Sequence, residues 1–277
     1  MAAVVEAVES RTNPRPPLKW AGGKRWLVPH LIPLWDRHRT RRLVEPLCGG
    51  LAVSLGLAPD KALINDLNPH TINFYSWLKR GLRIPLEMQN DQTYFYQQRT
   101  RFNQLILKNK AGTKEAAAIF YYLNRTCYNG LCRFNSKGEF NVPFGRYKKL
   151  IYKTDFTEYV SAFAQWHFTC VDFEELQLHP NDFVYADPPY DVQFTSYSKE
   201  NFKWGDQVRL AEWLARHQGP VVLSNQATDR VRELYKDLGY KVTILTAPRL
   251  INCTGDRTPA QEVLATRNLS LGSGLSA

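Results

Sequence analysis

The sequence predicts an α/β fold, a mostly parallel sheet with helices between its strands, interrupted by one long inserted segment. Three observations carry this. Between Arg42 and Asp66 the chain reads strand, glycine turn, helix, strand. From about Leu82 to Phe163 that alternation is lost, and Gln, Asn, Arg and aromatic residues take over. Apolar strand runs then resume at His167–Val171, Phe183–Ala186, Pro220–Ser224, Lys241–Leu245 and Gln261–Ala265. Helical patterns at Asp206–His217 and Thr228–Asp237 lie between the middle ones.

In chain order, Pro16-Pro17 opens the ordered part, and Leu18 to Lys24 forms a turn leading into a helix over Lys24–Trp35. Arg42–Glu45 is a short strand, and Gly49-Gly50 turn the chain tightly into the next helix. Lys61–Asp66 is the second strand and ends in an acid. A helix follows from Pro69, with Asn68 as its N-cap and the proline at the first helical position. This is the beginning of a Rossmann-like sheet. Inside the insertion Ala111–Asn124 is helical, Tyr128-Asn129-Gly130 is a turn, and a basic, loop-rich stretch runs to Tyr152. The expected organisation is a discontinuous sheet domain over 14–80 and 165–268, an inserted domain over 81–164, and flexible termini at 1–13 and 269–277.

A net charge of +10 and a pI of 9.4 point to an anionic partner, nucleic acid before membrane. The charge is clustered. Arg37, Arg39, Arg41 and Arg42 form one group. Arg133, Lys137, Arg146, Lys148, Lys149 and Lys153 form another, interleaved with Phe134, Phe140, Phe144, Tyr147 and Tyr152. Basic residues mixed with aromatics suit a surface that grips phosphates and reaches bases. The five cysteines contain no C-x-x-C pair and the six histidines stand in no ligand spacing, so reduced thiols and no metal are expected. No apolar run approaches the roughly 18 residues of a membrane span. The N-terminus lacks the basic and apolar regions of a signal peptide, so the expected location is cytoplasmic.

Two stretches carry chemistry. Asp187-Pro188-Pro189-Tyr190 follows the strand Phe183–Ala186, and its two prolines fix φ and stiffen the loop. Asp187 and the Pro188 carbonyl can accept both N–H bonds of an exocyclic amino group, while Tyr190 stacks on the ring. The plainer alternative is a stiff turn whose tyrosine caps the core. The second stretch is Glu45-Pro46-Leu47-Cys48-Gly49-Gly50, a strand-to-helix turn where glycines let a ligand approach the backbone. Asp66, about twenty residues on, is placed to accept from two ribose hydroxyls. Gly22-Gly23-Lys24 is not a phosphate-binding loop, and the full dinucleotide fingerprint is missing. A nucleoside-bearing cofactor without a pyrophosphate fits better, with S-adenosyl-L-methionine the candidate. Asp172-Phe173 ends the next strand and could serve its adenine, or be a solvated acid beside a core aromatic.

The chain resembles the Dam-type (D12 class, alpha group) DNA adenine-N6 methyltransferases. The resemblance rests on ordered blocks: Leu18 to Lys24, Glu45-Pro46 with its glycine turn, Tyr122 to Arg125 continuing into Tyr128 to Asn135, Gly138 to Lys148, and Asp187 to Tyr190. It covers about Pro17 to Asn268. It implies a Rossmann-like S-adenosylmethionine-dependent methyltransferase sheet with an inserted, mainly helical DNA-recognition subdomain. It further implies that Trp20, Ala21, Gly22, Gly23 and Lys24, with Pro46, Leu47, Gly49 and Gly50 of the turn, hold the cofactor. Asp66 would take its ribose, and Asp172 and Phe173 would flank its adenine. Asp187, Pro188, Pro189 and Tyr190 would be catalytic, with Asp187 also touching the cofactor. Lys19, Leu131 and Arg133 would read bases, and Tyr128 and Asn129 would enter the stack beside an extruded adenine. Arg99, Asn124, Asn135, Asn141, Pro143, Arg146, Tyr147 and Lys148 would complete the contact with double-stranded DNA.

The implied reaction is methyl transfer to adenine N6 within GATC by a bacterial, archaeal or phage-encoded enzyme. Relatives act on longer sites beginning with GAT, within restriction systems. A monomer is adequate, with a dimer on DNA possible. One departure stands out: where the family has a third glycine and a serine, this chain has Leu51 and Ala52, which puts a Cβ near the cofactor and removes a hydroxyl. Rival readings are an RNA adenine or protein glutamine methyltransferase (the latter with Asn at position 187), a cytosine-N4 enzyme (more often Ser there), and a DNA-binding protein with a decayed site.

Overall fold

The computed structural model of the chain describes residues 14–190, 202–247 and 260–269. The predicted flexible segments lie outside these, except for Leu269, which packs against the core. The strands are β1 Leu43–Glu45, β2 Ala62–Asn65, β3 Trp166–Thr169, β4 Phe183–Ala186, β5 Val221–Gln226, β6 Lys241–Ala247 and β7 Ala260–Arg267. The helices are α1 Val28–Trp35, α2 Ala52–Leu57, α3 Pro69–Lys79, α4 Gln92–Leu107, α5 Lys114–Thr126, α6 Glu158–Ala162, α7 Trp204–Ala215 and α8 Asp229–Asp237. The strands form one sheet in the order β3-β2-β1-β4-β5-β7-β6. β1 to β5 are parallel, and β7 runs antiparallel between β5 and β6.

This order positions the site. The chain lays down β1, β2 and β3 outward in one direction, then returns to lay β4 and β5 on the other side of β1. The switch between β1 and β4 leaves a crevice beyond the carboxyl ends of those strands, where ligands of open α/β sheets bind. Glu45 ends β1, Asp66 follows β2 and Asp187 follows β4, so three acids separated in sequence meet at one edge. β7 adds a fourth. Because it runs opposite to β5, it begins where β5 ends, with Glu262 opposite Gln226.

Successive side chains of β1, β2 and β4 point to opposite faces, and two apolar clusters result. Leu43, Ala62, Ile64, Phe183 and Tyr185 pack with residues of α1, α2 and α3, and in the same cluster with α4 and α5 of the insertion. Val44, Leu63, Val184 and Ala186 pack under α7 and α8. The inserted segment therefore shares the sheet's core. Phe74 of α3 stacks on Tyr121 of α5 at 5.6 Å and meets Phe156 edge-on.

All seven strands fall within a few residues of their predicted places. Helix α4 departs from the sequence reading, which assigned no helix there. Its mostly polar run Gln92–Leu107 buries only Phe95, Phe102 and Leu105, a stripe too narrow to stand out. The start was signalled by Asp91, whose carboxylate accepts from the Tyr94 amide at 2.7 Å.

Phe74 joins both parts of the core, so Phe74→Ala is expected to destabilise the whole described chain by about 3–5 kcal/mol. Urea titrations followed by far-UV dichroism and tyrosine fluorescence should show one common transition at a lower midpoint.

Candidate active site

The crevice at the switch point is a cavity of about 770 Å³. Its walls come from Trp20 to Lys24, from Glu45 and the glycine turn, from Asp66 to His70 at the start of α3, and from Asp187 to Tyr190. Cys132, Phe134 and Gly138 of the insertion also face it. Among the described residues, Lys24 is the one lysine or arginine in the lining.

Trp20 explains the glycine turn as much as any ligand does. A Cβ on Gly49 would lie 2.5 Å from the Trp20 indole nitrogen, and one on Gly50 would lie 2.6 Å from Trp20 Cβ. The Trp20 side chain therefore packs directly on bare backbone. Asp66 holds the turn from the other side: its Oδ2 accepts from the Gly49 amide and its Oδ1 from the Asn68 amide, both at 2.9 Å. Burial pushes its carboxyl up, and those two amides oppose the shift. Pro46 is not part of the cavity lining; its carbonyl accepts from Asn65 Nδ2 at 2.9 Å, beneath the turn. Leu51, the departure from the family pattern, has φ of 59° and is fully buried in the core. This corrects the expectation that its Cβ crowds a ligand: the side chain enters the core and Ala52 faces the cavity.

Asp187 stands over the crevice, its side chain 21% exposed. Ser224 Oγ donates to its Oδ1 at 2.8 Å, and Lys24 Nζ lies 3.1 Å from the same oxygen. Oδ2 has no partner among the described residues. Burial raises the carboxyl to about 6, against the pull of Lys24 and Ser224. The loop is clamped from below, where Gln207 Nε2 donates to the Pro189 carbonyl at 2.7 Å and is itself held by Asn225. Tyr190 donates its hydroxyl to Glu262 and accepts from Lys24 Nζ at 2.9 Å. Glu45 is wholly buried beneath the turn, hydrogen-bonded to Ser54, and burial lifts its carboxyl to about 8.

Asp172 and Phe173 do not line the cavity. Asp172 caps a short turn through the Glu174 amide and pairs with Arg209 at 2.7 Å; against the opposing effect of burial, these partners hold its carboxyl below the usual range. Phe173 is buried, with the Arg209 guanidinium 4.7 Å from its ring centre.

The residues expected to meet DNA gather on the insertion. Tyr128 is exposed, and Asn129 beside it is exposed with φ of 52°. The Arg133 side chain is held in place by Asn141 Oδ1, which accepts from its Nε at 2.8 Å. Pro143, Arg146 and Lys148 are exposed. Arg99 lies over the Tyr96 ring and Tyr147 donates to the Cys127 carbonyl at 2.8 Å. Leu131 is half-buried. Asn135 bonds Glu139 and the amides of the Lys137–Glu139 turn. Asn124 is corrected: it is 1% exposed, and its amide bonds the Lys19 backbone on both sides and the Gly130 carbonyl. It fastens Lys19 to the turn and has no surface to offer DNA. Lys19 Nζ rests on the Arg125 carbonyl and over the Tyr147 ring.

Glu262, Ser224, Gln207 and Asn225 escaped the sequence reading. The signal for them was polar residues inside otherwise apolar strands, Ser224 and Asn225 in β5 and Glu262 in β7.

The cavity fits S-adenosyl-L-methionine by the chemistry of its walls. Among the described residues, acids line it beside one lysine already engaged by carboxylates, which suits a ligand carrying a sulfonium and an ammonium better than a pyrophosphate. Such a sheet, with acids after β1, β2 and β4 and a proline-stiffened Asp-Pro-Pro-Tyr loop, defines a Rossmann-like methyltransferase. The family model for D12 class N6 adenine-specific DNA methyltransferases matches residues 20–248. A DNA adenine methylase of Vibrio cholerae is 36% identical over 90% of this chain and 94% of its own. A Type II methyltransferase of Lactococcus lactis subsp. cremoris is 36% identical over 83% of this chain and 87% of its own. A DNA N-6-adenine-methyltransferase of Escherichia phage P1 is 34% identical over 89% of this chain, which spans only 34% of that longer protein. The chain belongs to the D12 class N6 adenine-specific DNA methyltransferase family. Among the described residues, no helix is long and apolar enough to cross a membrane.

A carboxyl held up to about 8 in the folded chain favours folding when protonated. That contribution is full below its ordinary value near 4.5 and is lost as pH rises toward 8. Thermal melts across pH 4–9 should show Glu45→Gln free of this loss, so that the variant gains on the parent protein as pH rises.

Proposed function

We propose that this protein transfers the methyl group of S-adenosyl-L-methionine to N6 of an adenine turned out of duplex DNA at GATC. The observation that carries the reading is the state of Asp187. Both protein donors converge on Oδ1, and Oδ2 is left to accept an N–H from a base in the cavity. The cofactor, when bound, supplies an electrophilic methyl on sulfur. Trp20, Gly49, Gly50 and Asp66 would hold it, with Asp66 on the ribose.

The adenine amino group is a poor nucleophile because its lone pair is delocalised into the ring. Hydrogen bonds from its N–H groups to Asp187 and to the Pro188 carbonyl favour a pyramidal nitrogen and free the lone pair. At neutral pH Asp187 is ionised, so it also stabilises the positive charge that grows on N6. Acceptors fixed beforehand by Ser224, Lys24 and the Gln207 clamp act without reorganising. Alignment of nitrogen and methyl adds a proximity effect.

Reaching a base inside a duplex requires unstacking it, at roughly a few kcal/mol. Tyr190 would stack on the extruded ring, and exposed Tyr128 and Asn129 would fill the gap. The division into a catalytic part (14–80 and 165–268) and a target-recognition part (81–164) follows the same reading. Arg99, Arg146, Tyr147 and Lys148 would hold phosphates. Arg133 would read a guanine, its fork oriented by Asn141. One cavity contains all the reacting groups, so a monomer suffices. A second reading is the same chemistry on a longer GAT-containing site in a restriction system; the name of the Type II relative bears on the restriction context alone.

Expression in a methylation-deficient bacterium followed by single-molecule sequencing tests the target: N6-methyladenine confined to GATC supports the first reading, and a longer motif the second. Asp187→Ala is expected to abolish transfer while DNA affinity in gel-shift titrations stays near that of the parent; near-normal turnover would sink the assignment. Arg133→Ala should lose about 1–3 kcal/mol of discrimination at one guanine, read as kcat/KM on singly substituted duplexes.

A further inference from the structure

Glu262 lies far in sequence from every block that carries the family resemblance, yet it contacts two residues of the cavity wall, Tyr190 and Lys24. It is the third residue of β7 and is 4% exposed. Its Oε1 accepts the Tyr190 hydroxyl, and its Oε2 makes no hydrogen bond but stands 3.4 Å from Lys24 Nζ. Lys24, 3% exposed, stands 3.1 Å from Asp187 Oδ1 on its other side. A single buried ammonium is thus shared between two carboxylates and a phenol.

We propose that Glu262 is a positioning residue for methyl transfer, dividing Lys24 between itself and Asp187 and holding Tyr190 at the mouth of the cavity. The proposal rests on Asp187 being the group that engages the adenine. With Asp187 as its only anion, the ammonium would settle fully on that carboxylate and compete with the incoming N–H. Glu262 draws it partly away, so that Lys24 keeps Asp187 ionised without saturating it. The same carboxylate fixes the Tyr190 hydroxyl, which orients the ring meant to stack on the base. A buried carboxylate is unfavourable unless paired, and here its partners are both residues of the reacting corner.

The groups that face Asp187 come from six places. They are Lys24 before α1, Glu45 at the end of β1, Tyr185 on β4, Tyr235 on α8 and Glu262 on β7, with Tyr190 beside Asp187 in the cavity wall. Lys24 lowers the Asp187 carboxyl and Glu262 raises it. The two substitutions therefore act in opposite directions on the acid side of the pH profile.

The test is single-turnover methylation of a GATC duplex with saturating S-adenosyl-L-methionine, from pH 5 to 9. Glu262→Gln keeps an acceptor for Tyr190 but removes a charge, and its acid midpoint should move to lower pH by up to about one unit. Lys24→Met should move it to higher pH. If Lys24→Met fails to fold, the double variant Lys24→Met with Glu262→Gln removes one charge of each sign and should still titrate above the parent protein. Acid midpoints that coincide with the parent's in all soluble variants, whatever the loss of rate, would overturn the proposal and leave Glu262 a structural residue. Asp187→Asn is measured alongside. Turnover retained there would show that the reading of Asp187 itself had failed, separately from the role of Glu262.

Discussion

A single buried ammonium makes the chemistry of this cavity tenable. Glu45 and Asp187 line the crevice and Glu262 is buried behind it, against Lys24 and Tyr190, where an isolated charge is strongly unfavourable. Glu45 avoids the problem by staying protonated. Asp187 and Glu262 share Lys24, whose charge they and Tyr190 hold in place although burial works against it. The three are far apart in the chain: Lys24 precedes the first helix, Asp187 follows the fourth strand, and Glu262 lies near the start of the last. The cluster can exist only once the sheet is complete, so its assembly is tied to global folding.

The insertion is bound into the same construction. Asn124 at the end of α5 fastens the Lys19 backbone, one residue before Trp20. Asn68, which caps α3 and donates its backbone N–H to Asp66, also donates its side-chain amide to Cys132 Sγ at 3.2 Å, next to Arg133. His70 stacks on Phe134 at 4.7 Å. Few bonds therefore separate the acid after β2 from the arginine on the insertion. Shared core and shared cavity walls make the two parts one mechanical unit among the described residues.

Much of this was legible beforehand because it is local. Strand runs, the Asn68 cap, the glycine turn and the stiff loop after β4 each announce themselves within a few residues. What stayed hidden depends on which strands become neighbours. Glu262 reads as a stray acid until β7 is seen to run antiparallel and to begin beside the end of β5. Asp172 reads as a ligand-binding acid at a strand end until Arg209, on α7, is found to occupy it. Asn124 belongs to a block that carries the resemblance, but the block's logic is internal: its amide serves Lys19 and Gly130. Helix α4 was missed because three buried side chains among mostly polar neighbours leave almost no periodic signal.

Leu51 shows how a departure from a family pattern can be absorbed. A left-handed leucine is unfavourable by roughly 1–2 kcal/mol, which is why glycine suits that place. Here the side chain is fully buried among core residues, and burying a leucine contributes about 1.5–3 kcal/mol. The two effects are of similar size, so the turn keeps its shape without the glycine. The backbone conformation that aims Gly49 and Gly50 at Trp20 also aims the Leu51 Cβ inward, away from the cavity. Leucine also has fewer alternatives in the unfolded chain than glycine, which offsets part of the cost of its left-handed conformation in the folded one. The loss that reaches the cavity is the hydroxyl at position 52, where Ala52 offers a ligand only a methyl group.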